Sequence, residues 1–108
     1  MFAVIYRWRV EAKHEAEFQR RWHEITNEIV KHHGGGGSRL HRADNGDWVA
    51  YARWHSKDAR NKAFAARQRK TTQNTPQGEG KAKLVEEVWL KITDDLLIPE
   101  KELPPSFH

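Results

Sequence analysis

The sequence predicts an α+β fold in the order β-α-β-β-α-β, the ferredoxin-like split βαβ unit. Three observations predict it. A period of two over Phe2 to Val10 gives way to helical spacing from about Lys13; an Asn45-Gly46 turn signal separates two strand-like runs; and a second helical stretch precedes a last alternating run, Val85 to Thr93. With 108 residues the chain holds one domain and one modest core.

Each element has its own local cause. Phe2, Val4, Tyr6, Trp8 and Val10 alternate with Ala3, Ile5, Arg7 and Arg9, a β-rich pattern of period two. Phe18, Trp22, Ile25 and Ile29 recur at helical spacing, and Trp22 is expected in the core. This first helix runs to about His33, where His32 and His33 suit the negative end of the dipole and Gly34 to Gly37 terminate it. Ser38 to Asp44 reads as strand two and Trp48 to Trp54 as strand three, joined at Asn45-Gly46, where both residues tolerate positive φ. Ser56 is a good N-cap for a second helix with a thin apolar face of Ala59, Ala63, Phe64 and Ala66. Thr71 to Gly80 reads as a loop, with a short helix as one option leading into Leu84. The domain is expected to occupy residues 1–98, and a proline-containing tail residues 99–108.

Composition excludes several kinds of chemistry. There is no Cys, so thiolate nucleophiles, Cys-rich zinc sites and iron–sulfur clusters are ruled out. The seven His show no HxH or HxxxH spacing, and the adjacent His32 and His33 would point apart on a helix, so no metal site is expected. Gly34 to Gly37 fit no phosphate-binding frame and precede a strand. No run approaches the roughly 20 apolar residues of a membrane span, so no membrane association and a cytoplasmic location are expected. The net charge of +4 divides into +2 over residues 1–55, +6 over 56–83 and −4 over 84–108. The basic cluster Arg67, Arg69 and Lys70 lacks interleaved aromatics and reads as a solvated face, so no nucleic-acid partner is expected.

A four-stranded sheet with both helices on one face leaves its other face bare. A second copy of the chain is the economical cover, with Leu96, Leu97 and Ile98 docking on the partner, so a homodimer is expected.

The run Phe2 to Val10, the segment Glu15-Ala16-Glu17-Phe18, the block Gly37 to Asp44, the strand Trp48 to Trp54 and the following Ala59 to Phe64 together resemble the antibiotic biosynthesis monooxygenase domain family. The resemblance spans about residues 2 to 97 and is a whole-domain pattern without a short diagnostic motif. It implies a dimeric α+β barrel. It also implies a small oxygenase that oxidises planar phenolic or quinol compounds with molecular oxygen and uses no metal, flavin or haem cofactor. Such a reaction needs a dry pocket, a proton acceptor and donors for a developing oxyanion.

On that resemblance, His41 and Tyr51 are the candidate catalytic residues. Tyr6, Arg7, Trp8, Arg53 and Trp54 are candidates for binding a small aromatic substrate: the arginines for an oxyanion, the indoles for stacking. For the five Trp, packing is the first reading, though Trp54 ends a strand just before a helix, where pockets open. Alternation leaves open whether the Tyr6 or the Arg7 side faces the pocket. Two departures from the family pattern stand out. The haem-degrading branch uses a histidine after the second helix, and no His lies between His55 and His108. The quinone-forming branch carries a Trp and a Tyr near that helix, where this chain has Lys62, Ala63, Phe64 and Ala65. A non-catalytic ligand-binding or stress-response barrel is therefore the rival reading, and haem or another tetrapyrrole as ligand the third.

Overall fold

The computed structural model describes residues 1–70 and 82–107. The loop expected over Thr71 to Gly80 lies outside the described residues, as does any short helix leading into Leu84 from within it. β1 (Phe2–Val10) is followed by a 3₁₀ turn (Ala12–His14) and α1 (Glu15–His32). Then come β2 (Ser38–Arg42), β3 (Trp48–Trp54), α2 (Lys57–Lys70) and β4 (Ala82–Lys91). The strands form one sheet in the order β2-β3-β1-β4, every neighbouring pair antiparallel. This is the ferredoxin-like arrangement. Among the described residues no helix is long and apolar enough to cross a membrane.

β1 and β3 are the two inner strands. Val4, Tyr6 and Trp8 of β1 are buried with Trp48, Ala50, Ala52 and Trp54 of β3, beneath Phe18 of α1 and Ala63 of α2. The aromatic rings lock together: Phe18 meets Trp8 edge-on at 5.3 Å between centroids and Trp48 at 5.7 Å, while Tyr6 stacks on Trp8 at 5.7 Å. On the opposite face lie Ile5, Arg7, Val49, Tyr51, Val88 and Leu90, none of them buried. Leu90 is 43% exposed there, and Leu96, Leu97 and Ile98 in the C-terminal segment are 85%, 74% and 52% exposed.

The boundaries differ from the sequence reading in three places. β2 ends at Arg42, two residues early, because a five-residue connection replaces the tight two-residue turn. Ala43 N–H donates to Asp47 C=O at 2.8 Å, Gly46 N–H donates to Ala43 C=O at 2.9 Å, and Gly46 takes φ of 92°. The second difference is at β4, which runs Ala82–Lys91 instead of Val85 to Thr93 and passes a register shift opposite Arg7 and Trp8 that the alternation did not disclose. Thirdly, the glycine run does more than stop α1. Gly36 N–H donates to Arg53 C=O at 2.9 Å and Arg53 N–H donates to Gly37 C=O at 3.0 Å, which carries the β2–β3 pairing back to the helix end. A Cβ on Gly36 would sit 2.9 Å from that same Arg53 oxygen, so only glycine permits the approach. The Ser56 cap forms as expected, its Oγ accepting from Ala59 N–H at 3.1 Å.

Asp47 closes the hairpin electrostatically. It is buried, accepts from Asn45 Nδ2 at 3.1 Å and Arg7 Nη1 at 3.3 Å, and lies 3.5 Å from Arg9 Nε. Burial alone would push its carboxyl up, but the hydrogen bonds from Asn45 and Arg7 and the charges of Arg9 and Arg7 outweigh it and hold the group below its usual range. A folded-state value below the unfolded one means the unfolded chain binds the proton first. The stabilisation is therefore complete above about pH 4 and lost as pH falls through the folded-state value. Urea midpoints across this acid range are expected to fall less steeply for Asp47→Asn than for wild type. Parallel curves would exclude Asp47 as a contributor.

Candidate active site

The two helices do not close fully on the sheet. Between them lies a cavity of about 290 Å³. Its floor is Tyr6, Trp8, Ala50, Ala52 and Trp54, the helix-facing side of β1 and β3. α1 supplies Trp22, Ile25 and Ile29, and α2 supplies Arg60, Phe64 and Arg67. Leu84 and Glu87 of β4 and the Gly35 to Ser38 segment complete it.

The helical spacing of Arg60, Phe64 and Arg67 explains how α2 works. Residues four and seven apart share one helix face, so this face carries a ring between two guanidinium groups. Both arginines are paired. Arg60 Nη2 donates to Glu87 Oε1 at 2.9 Å, and Arg67 Nε donates to Glu28 Oε2 at 3.1 Å. α2 is thus tied to β4 and α1 by ion pairs where most helices would use leucines.

The chemistry concentrates at Arg60. Its Nε donates to Tyr6 Oη at 3.1 Å and its Nη1 to Asn61 Oδ1 at 3.1 Å, while its guanidinium lies 4.1 Å from the Phe64 ring centre. The second oxygen of Glu87 accepts from Trp89 Nε1 at 3.0 Å. Because the Tyr6 oxygen accepts from Arg60, its own proton is left to point elsewhere as a donor. Burial pushes the Tyr6 hydroxyl above its ordinary range; the Arg60 hydrogen bond and charge pull the other way without cancelling this, and the Glu87 charge adds to it. The hydroxyl therefore stays protonated at neutral pH. Beside it, Trp8 Nε1 is buried with no acceptor among the described residues.

Of the residues singled out from sequence, Tyr6, Trp8, Arg53 and Trp54 line this cavity. Arg53 is exposed at its glycine rim, with Nε donating to Gly36 C=O at 3.2 Å. Arg7, His41 and Tyr51 lie on the other face of the sheet. Arg7 is held by Asp47 and Glu86, Tyr51 pairs in register with Ile5 and Arg39, and the exposed His41 has Nδ1 3.1 Å from Val49 O. This cavity thus lies on the Tyr6 side of β1. Trp22, expected in the core, is half-buried at the cavity wall, and Arg67, expected on a solvated face, is 8% exposed inside it. Among the described residues no three His, Asp or Glu side chains converge as a metal site would need.

A small α+β sheet with an aromatic-lined, partly charged cavity beneath its helices defines a small-molecule-binding domain. The comparisons make this specific: residues 1–75 match the model of the antibiotic biosynthesis monooxygenase family, and the chain belongs to that family. A solved structure described as an antibiotic biosynthesis monooxygenase superposes with a TM-score of 0.70 at 13% identity, covering 87% of this chain and all of the other. SnoaB, a cofactor-independent oxygenase from Streptomyces nogalater, solved as a point mutant, gives a TM-score of 0.61 at 18% identity over 88% of this chain and 95% of its own. The heme-degrader MhuD from Mycobacterium tuberculosis, solved with two hemes in its active site, gives 0.64 at 17% identity over 89% and 99%. At these identities the likeness is one of fold. No curated protein sequence matches the chain.

Proposed function

We propose that the protein is a cofactor-independent monooxygenase that converts a small planar phenol or quinol to a quinone in the cavity beneath α1 and α2. The observation that carries this reading is the Tyr6–Arg60–Glu87 chain set against flat aromatic walls. The overall change is a phenol plus dioxygen giving a quinone plus water. Arg60 and the Tyr6 hydroxyl hold the substrate oxygen, and the guanidinium charge favours its ionised form. Glu87, partly open to solvent, takes the phenolic proton. The electron-rich phenolate passes one electron to dioxygen, and the resulting radical pair combines at a ring carbon to form a C–O bond. Transfer of the proton on that carbon to the terminal peroxide oxygen, with cleavage of the O–O bond, leaves a carbonyl and releases hydroxide. The departing hydroxide takes up the proton held by Glu87 and leaves as water. Trp22, Trp54 and Phe64 supply the flat surfaces and exclude water.

Haem fits this cavity poorly. Among the described residues its lining has no imidazole or thioether, and the Tyr6 oxygen is turned to Arg60. The test is oxygen uptake with a panel of hydroquinones and naphthols under isotopically labelled dioxygen. One labelled atom in the quinone and the other in water is the expected result. Ligand-dependent melting shifts with no product anywhere in the panel would favour the non-catalytic barrel instead.

The same reading includes a homodimer closed over the face that bears Ile5, Val49, Tyr51, Val88 and Leu90. The exposure of Leu96, Leu97 and Ile98 supports it, with these three side chains docking on the partner. Sedimentation is expected to give a dimer that weakens modestly at high salt, the acidic C-terminal segment being expected near the basic segment of its own or the partner chain. A monomer at micromolar concentration would contradict this.

A further inference from the structure

The proposed reaction uses Arg60 and Glu87 but gives Trp89 no task. We propose that Trp89 is the positioning residue of that pair: its indole N–H fixes the Glu87 carboxylate and its ring backs the Arg60 guanidinium, so both groups are held in one orientation at the cavity wall. This rests on the reading above only for the reaction the pair serves. Trp89 stands outside the cavity lining and acts through the pair. It reaches the pair because residues two apart on a strand share a face: Glu87 lies opposite Tyr6 of β1 and Trp89 opposite Val4, both on the helix-covered side. Trp89 Nε1 donates to Glu87 Oε2 at 3.0 Å, while Arg60 Nη2 donates to Glu87 Oε1 at 2.9 Å. The Trp89 ring centre also lies 5.4 Å from the Arg60 guanidinium, which turns its Nε to the Tyr6 oxygen at 3.1 Å.

Without this third member the pair would be loose. The Arg60 and Glu87 side chains are 16% and 32% exposed, and an ion pair open to solvent gains little attraction while its long side chains stay free to change rotamer. A single donor on one oxygen lets the carboxylate turn about its last bond; a donor on each oxygen fixes its plane. Each oxygen keeps a further lone pair, so the carboxylate can still accept a proton. Trp89 is braced in its turn: Phe2 meets it edge-on at 6.4 Å, and Lys57 Nζ stands 5.1 Å from its ring centre. Packing against Phe2 would be served by Phe or Leu, but neither carries the donor that Glu87 Oε2 accepts. The chain Trp89–Glu87–Arg60–Tyr6 thus runs from a braced ring to the hydroxyl on the cavity floor.

Two measurements test this, one of which needs no turnover. Hydrogen exchange of the Arg60 Nε–H, followed by NMR and assigned by its loss in Arg60→Met, reports how firmly the guanidinium is held. Trp89→Phe keeps a ring against Phe2 and removes the N–H. It is expected to speed this exchange at least about tenfold, and to lower kcat for a phenolic substrate about tenfold with KM within about twofold. Trp89→His should restore most of both, because its Nε2–H, like the indole N–H, lies two bonds from Cγ. A role in packing alone would move the melting point without moving exchange at Arg60, kcat or the difference between the two variants. Unchanged exchange in Trp89→Phe, or a histidine variant that behaves as the phenylalanine one does, would overturn the proposal. Oxygen uptake separates the two readings. Faster exchange in Trp89→Phe with no turnover in any of the proteins would keep Trp89 as the residue that holds the pair and refute the oxygenase. Turnover with kcat unchanged in Trp89→Phe would keep the oxygenase and remove Trp89 from it.

Discussion

Arg60→Met is expected to lower turnover of a phenolic substrate by about a hundred- to a thousandfold, the scale of removing a preorganised donor from a developing oxyanion. Methionine keeps most of the length and the contact with Phe64 while deleting the charge. Three partners lose their donor at once: Tyr6 Oη, Asn61 Oδ1 and Glu87 Oε1. Without the guanidinium the substrate phenol no longer ionises easily, and electron transfer to oxygen slows with it. The loss should fall mainly on kcat, because Trp22, Trp54 and Phe64 still hold the ring. Raising the assay pH toward the phenol's own ionisation should recover part of the rate. A variant with unchanged kcat would remove Arg60 from the chemistry.

The largest structural effect is expected at Phe18. This ring, 3% exposed, is the contact through which α1 meets both Trp8 and Trp48. Phe18→Ala should cost about 3–5 kcal/mol, since rigid indoles on either side cannot collapse into the space. Against a total stability of about 5–15 kcal/mol for a domain, that is a large fraction. Denaturant unfolding checks it, and a loss below about 1 kcal/mol would show that the site collapses after all.

The elements of this fold were legible because each rests on a local cause. β1 and β3 match their alternating runs residue for residue, and α1 follows its Phe18–Trp22–Ile25–Ile29 stripe. What the sequence hid were features made by long-range contact. Asn45-Gly46 signals a tight hairpin, but the Asn45 side chain binds Asp47 and Asp47 binds Arg7, forty residues earlier, so the connection widens. In sequence the inward face of α2 is thin because its apolar residues cover only part of it. Arg60 and Arg67 occupy that face, and their carboxylate partners come from β4 and α1, far off in sequence. The spacing Arg60–Phe64–Arg67 was the available signal, visible once arginine is allowed on a buried stripe. Likewise His41 and Tyr51 carry suitable chemistry, but strand parity sends them to the face away from the cavity, as register with Val49 and Ile5 makes plain.

The central claim is that chemistry happens on the helix-covered face of the sheet. Oxygen consumption on a single phenolic substrate, compared among wild type, Tyr6→Phe, Arg60→Met, Glu87→Gln, His41→Ala and Tyr51→Phe, tests it most directly. The three cavity variants are expected to lose at least about tenfold in kcat/KM while His41→Ala and Tyr51→Phe keep most of theirs. Full activity in the cavity variants with loss in His41→Ala or Tyr51→Phe would contradict it and move the reaction to the opposite face.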